Sequence, residues 1–458
     1  MFLLLTTPSN NDRSPRYMKK TPAAALLRRK PGRARSLPPP SRRRSRTLTC
    51  TVRAGVHEAG LLGSRTVARL FAVAAALQAR VVLGGDERQH ASVERGSVLR
   101  LLQTEAGLTP ATVSTIRRQA GAYRDAVDRL SRGHTLAGFD RLDRLGWVLE
   151  VADGDREARL AADYLRAMRE KKSALIVSPT HAEGRKITAA VRDALRTNGL
   201  LADDEQLLTR YESRGLTEAE RGHAVRYRTG DVVEFHRNAP AFTKGSRYAV
   251  ANVGRASIIV RDPAGLDRVL PLTLAARFDV FAASEIALAV GDTVRVTRNG
   301  KSTTRSHRLE NGTVHTVAGF TECGDIRLQS GAVVSKSYAH LAYGYCTTSH
   351  AAQGKTVDRV FIAQASESFP ATSREQFYVS ASRARESLTV YTDDKAGLRR
   401  AIQRSDPRVT ATELLQPSAN HPAWVAWVKR RVRSVPSLVS RGDVRTGQER
   451  PRDHGMAR

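Results

Sequence analysis

Two stretches of this chain pair a short apolar run with an adjoining amphipathic helix, and that alternation limits its fold more than any other feature. Residues 173–180 (SALIVSPT) are of strand length, and residues 182–199 (AEGRKITAAVRDALRTNG) carry a helical period closed by Gly199. Residues 80–86 (RVVLGGD) form another apolar run, ending in Gly and Asp, as a buried parallel strand does when it delivers a polar loop at its carboxyl end. Ahead of it, Ser64 is placed to cap a helix whose apolar face is Val67, Leu70, Phe71, Ala74 and Leu77. The pattern returns late in the chain, with a strand at 358–363, a helix at 373–386 and a strand at 388–394. The fold class is α/β.

Between about residues 225 and 335 the texture changes to short alternating strands separated by Gly, Asn and Asp, which predicts small β-barrel modules. Residues 230–238 (GDVVEFHRN) and 291–299 (GDTVRVTRN) share the frame GD-x-V-x-x-x-RN, so two related modules are expected in tandem. This β-rich region interrupts the second α/β unit.

The formal net charge is +30, which favours a polyanionic partner through counterion release. Residues 1–50 hold thirteen Lys or Arg and one acid, Asp12. Residues 1–46 are rich in breakers and predict a disordered basic leader, and 401–458 a basic tail. Cys50, Cys323 and Cys346 have no paired spacing, which argues against a zinc site or a disulfide framework and fits a reducing cytoplasm. No run of 18 apolar residues exists, so no membrane span is expected.

Four stretches carry chemistry. In 84–102, Asp86 and Gln89 stand one turn apart after a strand, where a polar pair can sense a phosphate, with Gly85 beside them. In 56–62 (VHEAGLL), Glu58 can activate a water. In 347–363 (TTSHAAQGKTVDRVFIA), Thr348, Ser349 and His350 can grip strand phosphates, while Gln353 and Gly354 face a nucleotide. The run AQGKT imitates the end of a P-loop, but Ser349 occupies the position of the required first glycine. In 376–393, Arg383 and Arg385 lie near the junction of a helix and a strand, where a guanidinium can reach a γ-phosphate across a cleft.

The order HEAG, GDERQ, IRRQAGAYRDAV, SHAAQGKT, YVSASRAR resembles motifs II to VI of superfamily 1 helicases. The β insertion before the fifth motif resembles the RecD-like branch, and the whole is most similar to the helicase part of MobF conjugative relaxases. The resemblance implies two RecA-like domains, the first incomplete (47–112), the second (113–400) carrying an SH3-like barrel insertion. It implies Glu58 as catalytic base, Gln89 as γ-phosphate sensor, Arg118 and Arg383 as the arginines completing the site, and ATP with Mg²⁺ as cofactors. Its partners would be single-stranded DNA and an upstream relaxase or P-loop polypeptide, and its movement 5′ to 3′. The sequence departs from the family in two places. Residues 1–56 contain no G-x-x-x-x-G-K-S/T, and His57 replaces the expected Asp. ATP hydrolysis by this chain alone is therefore expected to be lost. A nucleotide-independent strand-binding module and a non-functional gene remnant remain as alternatives.

Overall fold

The computed structural model describes residues 2–6, 53–93, 96–255, 257–304 and 306–405. Most of the expected basic leader and tail lies outside the described residues.

A parallel five-stranded sheet is the centre of the molecule. Its strands run in the order Cys346–Thr347, Ala174–Val177, Val357–Ala363, Ala384–Thr392, Val148–Glu150. Every neighbouring pair is parallel. Such a sheet must be covered on both faces, which explains its continuous apolar runs. Helices Gly121–Ser131, Thr135–Arg144 and Arg374–Ala381 cover one face around Phe139, Phe377 and Val390. Helices Asp155–Arg169 and His181–Thr197 cover the other around Leu160, Ile187 and Phe361. The second of these is capped by the Thr180 side chain, which accepts from the Glu183 amide, and ends near Gly199 at φ +66°.

The antiparallel insertion is larger than the sequence implied. It begins at Glu205–Ser213 and ends at Leu341–Tyr343, rather than spanning 225–335. It holds a six-stranded and a five-stranded sheet, each over its own apolar cluster. The tandem repeat is structural. Gly230 and Gly291 both take positive φ (+89° and +97°). The Asp231 carboxylate accepts from the Arg228 amide at 2.9 Å, and Asp292 from Ala289 at 2.8 Å. Asn238 and Asn299 each accept from a later backbone amide, Lys244 and Asn311, both at 2.8 Å.

The first α/β unit is small. Its sheet runs Arg53–Val56, Arg80–Gly85, Phe2–Thr6, Ala111–Val113. Only its first pair is parallel. Phe2–Thr6, expected within an unstructured leader, instead pairs antiparallel with both Arg80–Gly85 and Ala111–Val113. The helix forms at Ser64–Ala76, but Ser64 is its first residue and Gly63 stands at the cap. Two of its expected core residues, Phe71 and Leu77, are exposed, because no layer covers that side among the described residues.

Candidate interdomain site

The first sheet and the parallel sheet meet through a few polar side chains. Strand Arg80–Gly85 delivers Asp86, which is buried. The Tyr378 hydroxyl donates to Asp86 Oδ2 at 2.9 Å, Gln89 Nε2 donates to the same oxygen at 3.2 Å, and the Arg88 amide donates to Oδ1 at 3.0 Å. Burial and the Asp86 charge both push the Tyr378 phenol up, so it remains a proton donor. Gly85 lies under a close approach of the HEAG loop. A Cβ would stand 2.5 Å from Leu99 Cδ1 and 3.2 Å from the Gly60 nitrogen, so Gly lets the HEAG loop lie against the strand end without displacing Leu99.

That loop turns at Glu58, whose φ of 55° is left-handed. Gln353 Nε2 donates to Glu58 Oε2 at 2.9 Å, and Gly354 follows with φ +79°. Two motifs 295 residues apart are thereby joined across the domain seam.

The helix expected over 373–386 stops at Ala381, and Arg383 sits in the turn before strand Ala384–Thr392. It is 2% exposed, with Nε donating to the Val379 carbonyl at 2.9 Å and a terminal nitrogen to Ser382 Oγ at 2.7 Å. Arg118 donates to the Ser382 carbonyl at 2.6 Å, and Gln119 to the Ala384 carbonyl at 2.5 Å. Burial, helped by the like charge of Arg118, pulls the Arg383 guanidinium down to about 10, against the pull of Glu58. Burial also lowers Arg118, with Glu58 again opposing. Two desolvated cations thus share one end of the cluster, and among the described residues neither is within ion-pair distance of a carboxylate. Arg385 is not brought in. It is half-exposed and pairs with Asp358 at 3.2 Å, though it still repels Arg118.

The expected strand-gripping residues divide. Thr348 lines an open cavity. Ser349 is buried and its Oγ lies 2.8 Å from His90 Nε2. His350 is exposed and stacks on His90, with ring centroids 3.5 Å apart and an interplanar angle of 17°. Sequence reasoning missed both His90 and Tyr378. Tyr378 opens the quoted YVSASRAR and His90 follows GDERQ, but neither was given a role, and only the seam gives them their partners.

The cavity beside Thr348 has a volume of about 610 Å³ and separates helix His181–Thr197 from the antiparallel insertion. Arg185, Arg210, Arg295, Tyr211 and Phe281 line it. Arg210 is paired with Glu212 at 2.6 Å, whereas Arg185 and Arg295 have no carboxylate partner among the described residues.

The residues present fit one end of a nucleoside triphosphate. The neighbouring cations Arg118 and Arg383 suit a terminal phosphate, while the buried, unpartnered Oε1 atoms of Gln89 and Gln353 can only accept, as from a water beside it. Residues 1–56 carry no G-x-x-x-x-G-K-S/T to cradle the inner phosphates. Among the described residues there is also no group of three or more His, Cys, Asp or Glu able to hold a metal ion. No helix among them is long and apolar enough to cross a membrane.

The two sheets thus meet at a seam of arginines, glutamines and an acidic loop. Comparison with known proteins narrows this. The AAA domain family profile matches residues 44–153, and that of the UvrD-like helicase C-terminal domain matches residues 343–391. The multifunctional conjugation protein TraI of Escherichia coli (strain K12) is 21% identical over 416 residues, covering 79% of this chain and 23% of TraI. The conjugal transfer protein TraA of Agrobacterium fabrum is 25% identical over 367 residues, covering 78% of this chain and 26% of TraA. The chain thus spans about a quarter of the length of these curated relatives. A crystal structure of Pif1 helicase from Candida albicans aligns with 83% of this chain and 77% of its own, at 14% identity and a TM-score of 0.34. The matches support a superfamily 1 helicase related to the helicase parts of conjugative relaxases.

Proposed function

We propose that this chain is the phosphate-sensing and strand-holding portion of a 5′-to-3′ DNA helicase of conjugative transfer, acting in the cytoplasm on single-stranded DNA. Its two α/β units are read as RecA-like, the first partial, and the antiparallel insertion as SH3-like modules. The observation that carries the reading is the meeting of Glu58, Gln89, Gln353, Arg118 and Arg383 at one seam. Bound ATP would supply a cleavable γ-phosphate, and Mg²⁺ would neutralise its charge. The chain's own part is narrower. Arg118 and Arg383 would hold the terminal phosphate. Gln353 positions Glu58 to orient a water, and Asp86 links the phosphate side to the parallel sheet through Tyr378. Without a P-loop in residues 1–56, and with His57 where an acid is expected, the chain alone would not hydrolyse ATP, and an upstream P-loop or relaxase polypeptide would complete it.

The test is the ATPase rate of the purified chain with and without an oligo-dT strand, beside Arg383→Ala. We expect strand binding without turnover. A DNA-stimulated rate abolished by Arg383→Ala would show a complete nucleotide site and sink the claim of lost hydrolysis. Neither turnover nor strand binding would favour the gene-remnant reading.

A further inference from the structure

The two copies of the repeat make the same turn and differ in what lies against it. At Gly230, in the first copy, a Cβ would meet nothing within 4 Å, whereas at Gly291, in the second, it would stand 2.5 Å from the Leu200 carbonyl oxygen, just past helix His181–Thr197. The second turn is pressed against the parallel unit, and its Ala289 is buried in the same apolar cluster as Leu160 and Ile187. The turn aspartates diverge in the same way. Asp231 has Arg214, itself in the insertion, 3.7 Å away. Asp292 is wholly buried and meets Arg192 of helix His181–Thr197 as a two-pronged pair, Nε to Oδ1 at 2.9 Å and Nη2 to Oδ2 at 2.8 Å. The Tyr345 hydroxyl donates to Asp292 Oδ1 at 2.8 Å as well. Arg192 also donates to Glu205 Oε1 at 2.6 Å and to the Ala287 carbonyl at 3.2 Å, and its guanidinium lies 4.6 Å from the centre of the Tyr343 ring. One side chain of the parallel unit thus touches the strand by which the insertion enters, Glu205–Ser213, the one by which it leaves, Leu341–Tyr343, and the turn between them. Burial opposes its charge, but Asp292 and Glu205 outweigh burial and hold the guanidinium above its usual range. The first module is tied to the second in turn, since Glu234 accepts from His340 Nε2 at 2.8 Å and lies 3.3 Å from Arg298.

We propose that Arg192 is a positioning residue that bolts both antiparallel modules to the parallel unit in one orientation, so that the cavity between them keeps a single width for a strand. The purpose given to that width rests on the strand-holding reading above, and the bolt itself does not. A guanidinium fork on a carboxylate fixes angle as well as distance, and burial shields the pair from salt.

The full chain, carrying Cys50→Ser and Met168→Cys, is labelled with donor and acceptor dyes at the exposed Cys323 of the second module and at the exposed position 168 of helix Asp155–Arg169. Burial pushes the Cys346 thiol up to about 12, which keeps it from the dyes. Single-molecule energy transfer should give one narrow distance distribution, unmoved by dT20 or by salt. Arg192→Lys keeps the charge and loses the fork, and should broaden the distribution. Arg192→Gln strands the buried Asp292 charge and should add a second population. Asp231→Asn removes the equivalent aspartate of the first copy and should leave the distribution narrow. If wild type is already broad, or if Arg192→Lys, folded by circular dichroism, stays as narrow as wild type, the bolt is wrong. Anisotropy of fluorescein-labelled dT20 tests the purpose. Arg192→Gln should bind several-fold more weakly with the salt slope of wild type, because Arg192 is spent on two carboxylates. A slope shallower by about 0.7 would mean a direct phosphate contact and would overturn the positioning role. Failure of wild type to bind dT20 would sink the strand-holding reading, while the distance distribution would still decide the bolt.

Discussion

The two α/β units use the same alternation of strand and helix and end very differently. The parallel sheet is enclosed by two clusters of fully buried side chains, with Phe139, Phe377 and Val390 on one face and Leu160, Ile187 and Ile176 on the other. Among the described residues the first sheet rests on a cluster of five, Ala59, Ala74, Val81, Leu83 and Leu99, while Leu77 remains 61% exposed. Apolar burial is the main favourable term in folding, so the parallel unit can stand on its own core. The first unit depends on what it touches: Tyr378 through Asp86, Ser349 through His90, and Gln353 through Glu58. A unit stabilised by its seam is suited to report what happens there.

The sharpest way to break this comparison is to hollow each core in turn. Phe377→Ala should cost about 3–5 kcal/mol and shift the main denaturant transition, because Phe377 is wholly buried between helix and sheet. Leu83→Ala should leave that transition nearly in place and instead speed hydrogen exchange in residues 80–93. Equal shifts of the main transition by both variants would show one cooperative unit and defeat the contrast.

Substitutions at the seam come next. Gly85→Ala forces a Cβ against Leu99 and the Gly60 nitrogen and should cost about 1–3 kcal/mol, felt in the first unit. Tyr378→Phe leaves the buried Asp86 without one donor, at a cost of about 1–3 kcal/mol. Because Asp86 keeps Gln89 and the Arg88 amide, the Tyr378 change should be the milder, as read by protease sensitivity of residues 53–93. A wild-type cleavage pattern in Gly85→Ala would contradict the close packing of the HEAG loop.

The seam should also respond to pH. Burial, with the like charges of His350 and Arg383, pulls His90 down to about 3. An unfolded histidine takes a proton near 6.5, so the folded form is favoured above that pH. Its stabilisation is present above about 6.5 and is lost as pH falls toward 3, by up to about 1.4 kcal/mol per pH unit. Hydrogen exchange of residues 80–93 should therefore accelerate at pH 5 relative to pH 7.5, and His90→Gln should flatten that dependence. An unchanged profile in the variant would assign the effect to another group.

The parallel sheet was legible because a strand buried on both faces is apolar there, and residues 174–177 and 360–363 say so locally. The repeat was legible because its Gly and Asp serve the same turn twice. The first unit was misread where periodicity assumes a covering layer. Phe71 and Leu77 have the right spacing, but no described layer lies over them. Phe2–Thr6 could not be foreseen, because strand pairing with partners about eighty and about one hundred and ten residues away leaves no local mark. Glu58, Gln89, Arg118 and Arg383 were found from motif order and do converge. Ser349 was named for the strand yet bonds His90, since on a helix of four residues one position sets whether a side chain faces outward or the neighbouring domain. Arg295 was inside a quoted motif but carried no signal until the cavity exposed its lack of a partner.

The smallest expected effect separates Arg385 from Arg383. Both were read from one motif as phosphate ligands, but Arg385 is half-exposed and held to Asp358, an ion pair of the kind that contributes about 0–1 kcal/mol. Arg385→Gln should leave stability within about 0.5 kcal/mol of wild type and should not alter nucleotide binding, followed with a fluorescent ATP analogue. Arg383→Gln, at a site with no solvent to replace the lost charge, should weaken that binding measurably if the seam holds a terminal phosphate. Equal losses in both variants would mean that Arg385 leaves Asp358 and swings into the seam when the nucleotide arrives. The two arginines would then act as a pair, and the static contact with Asp358 would be a resting position.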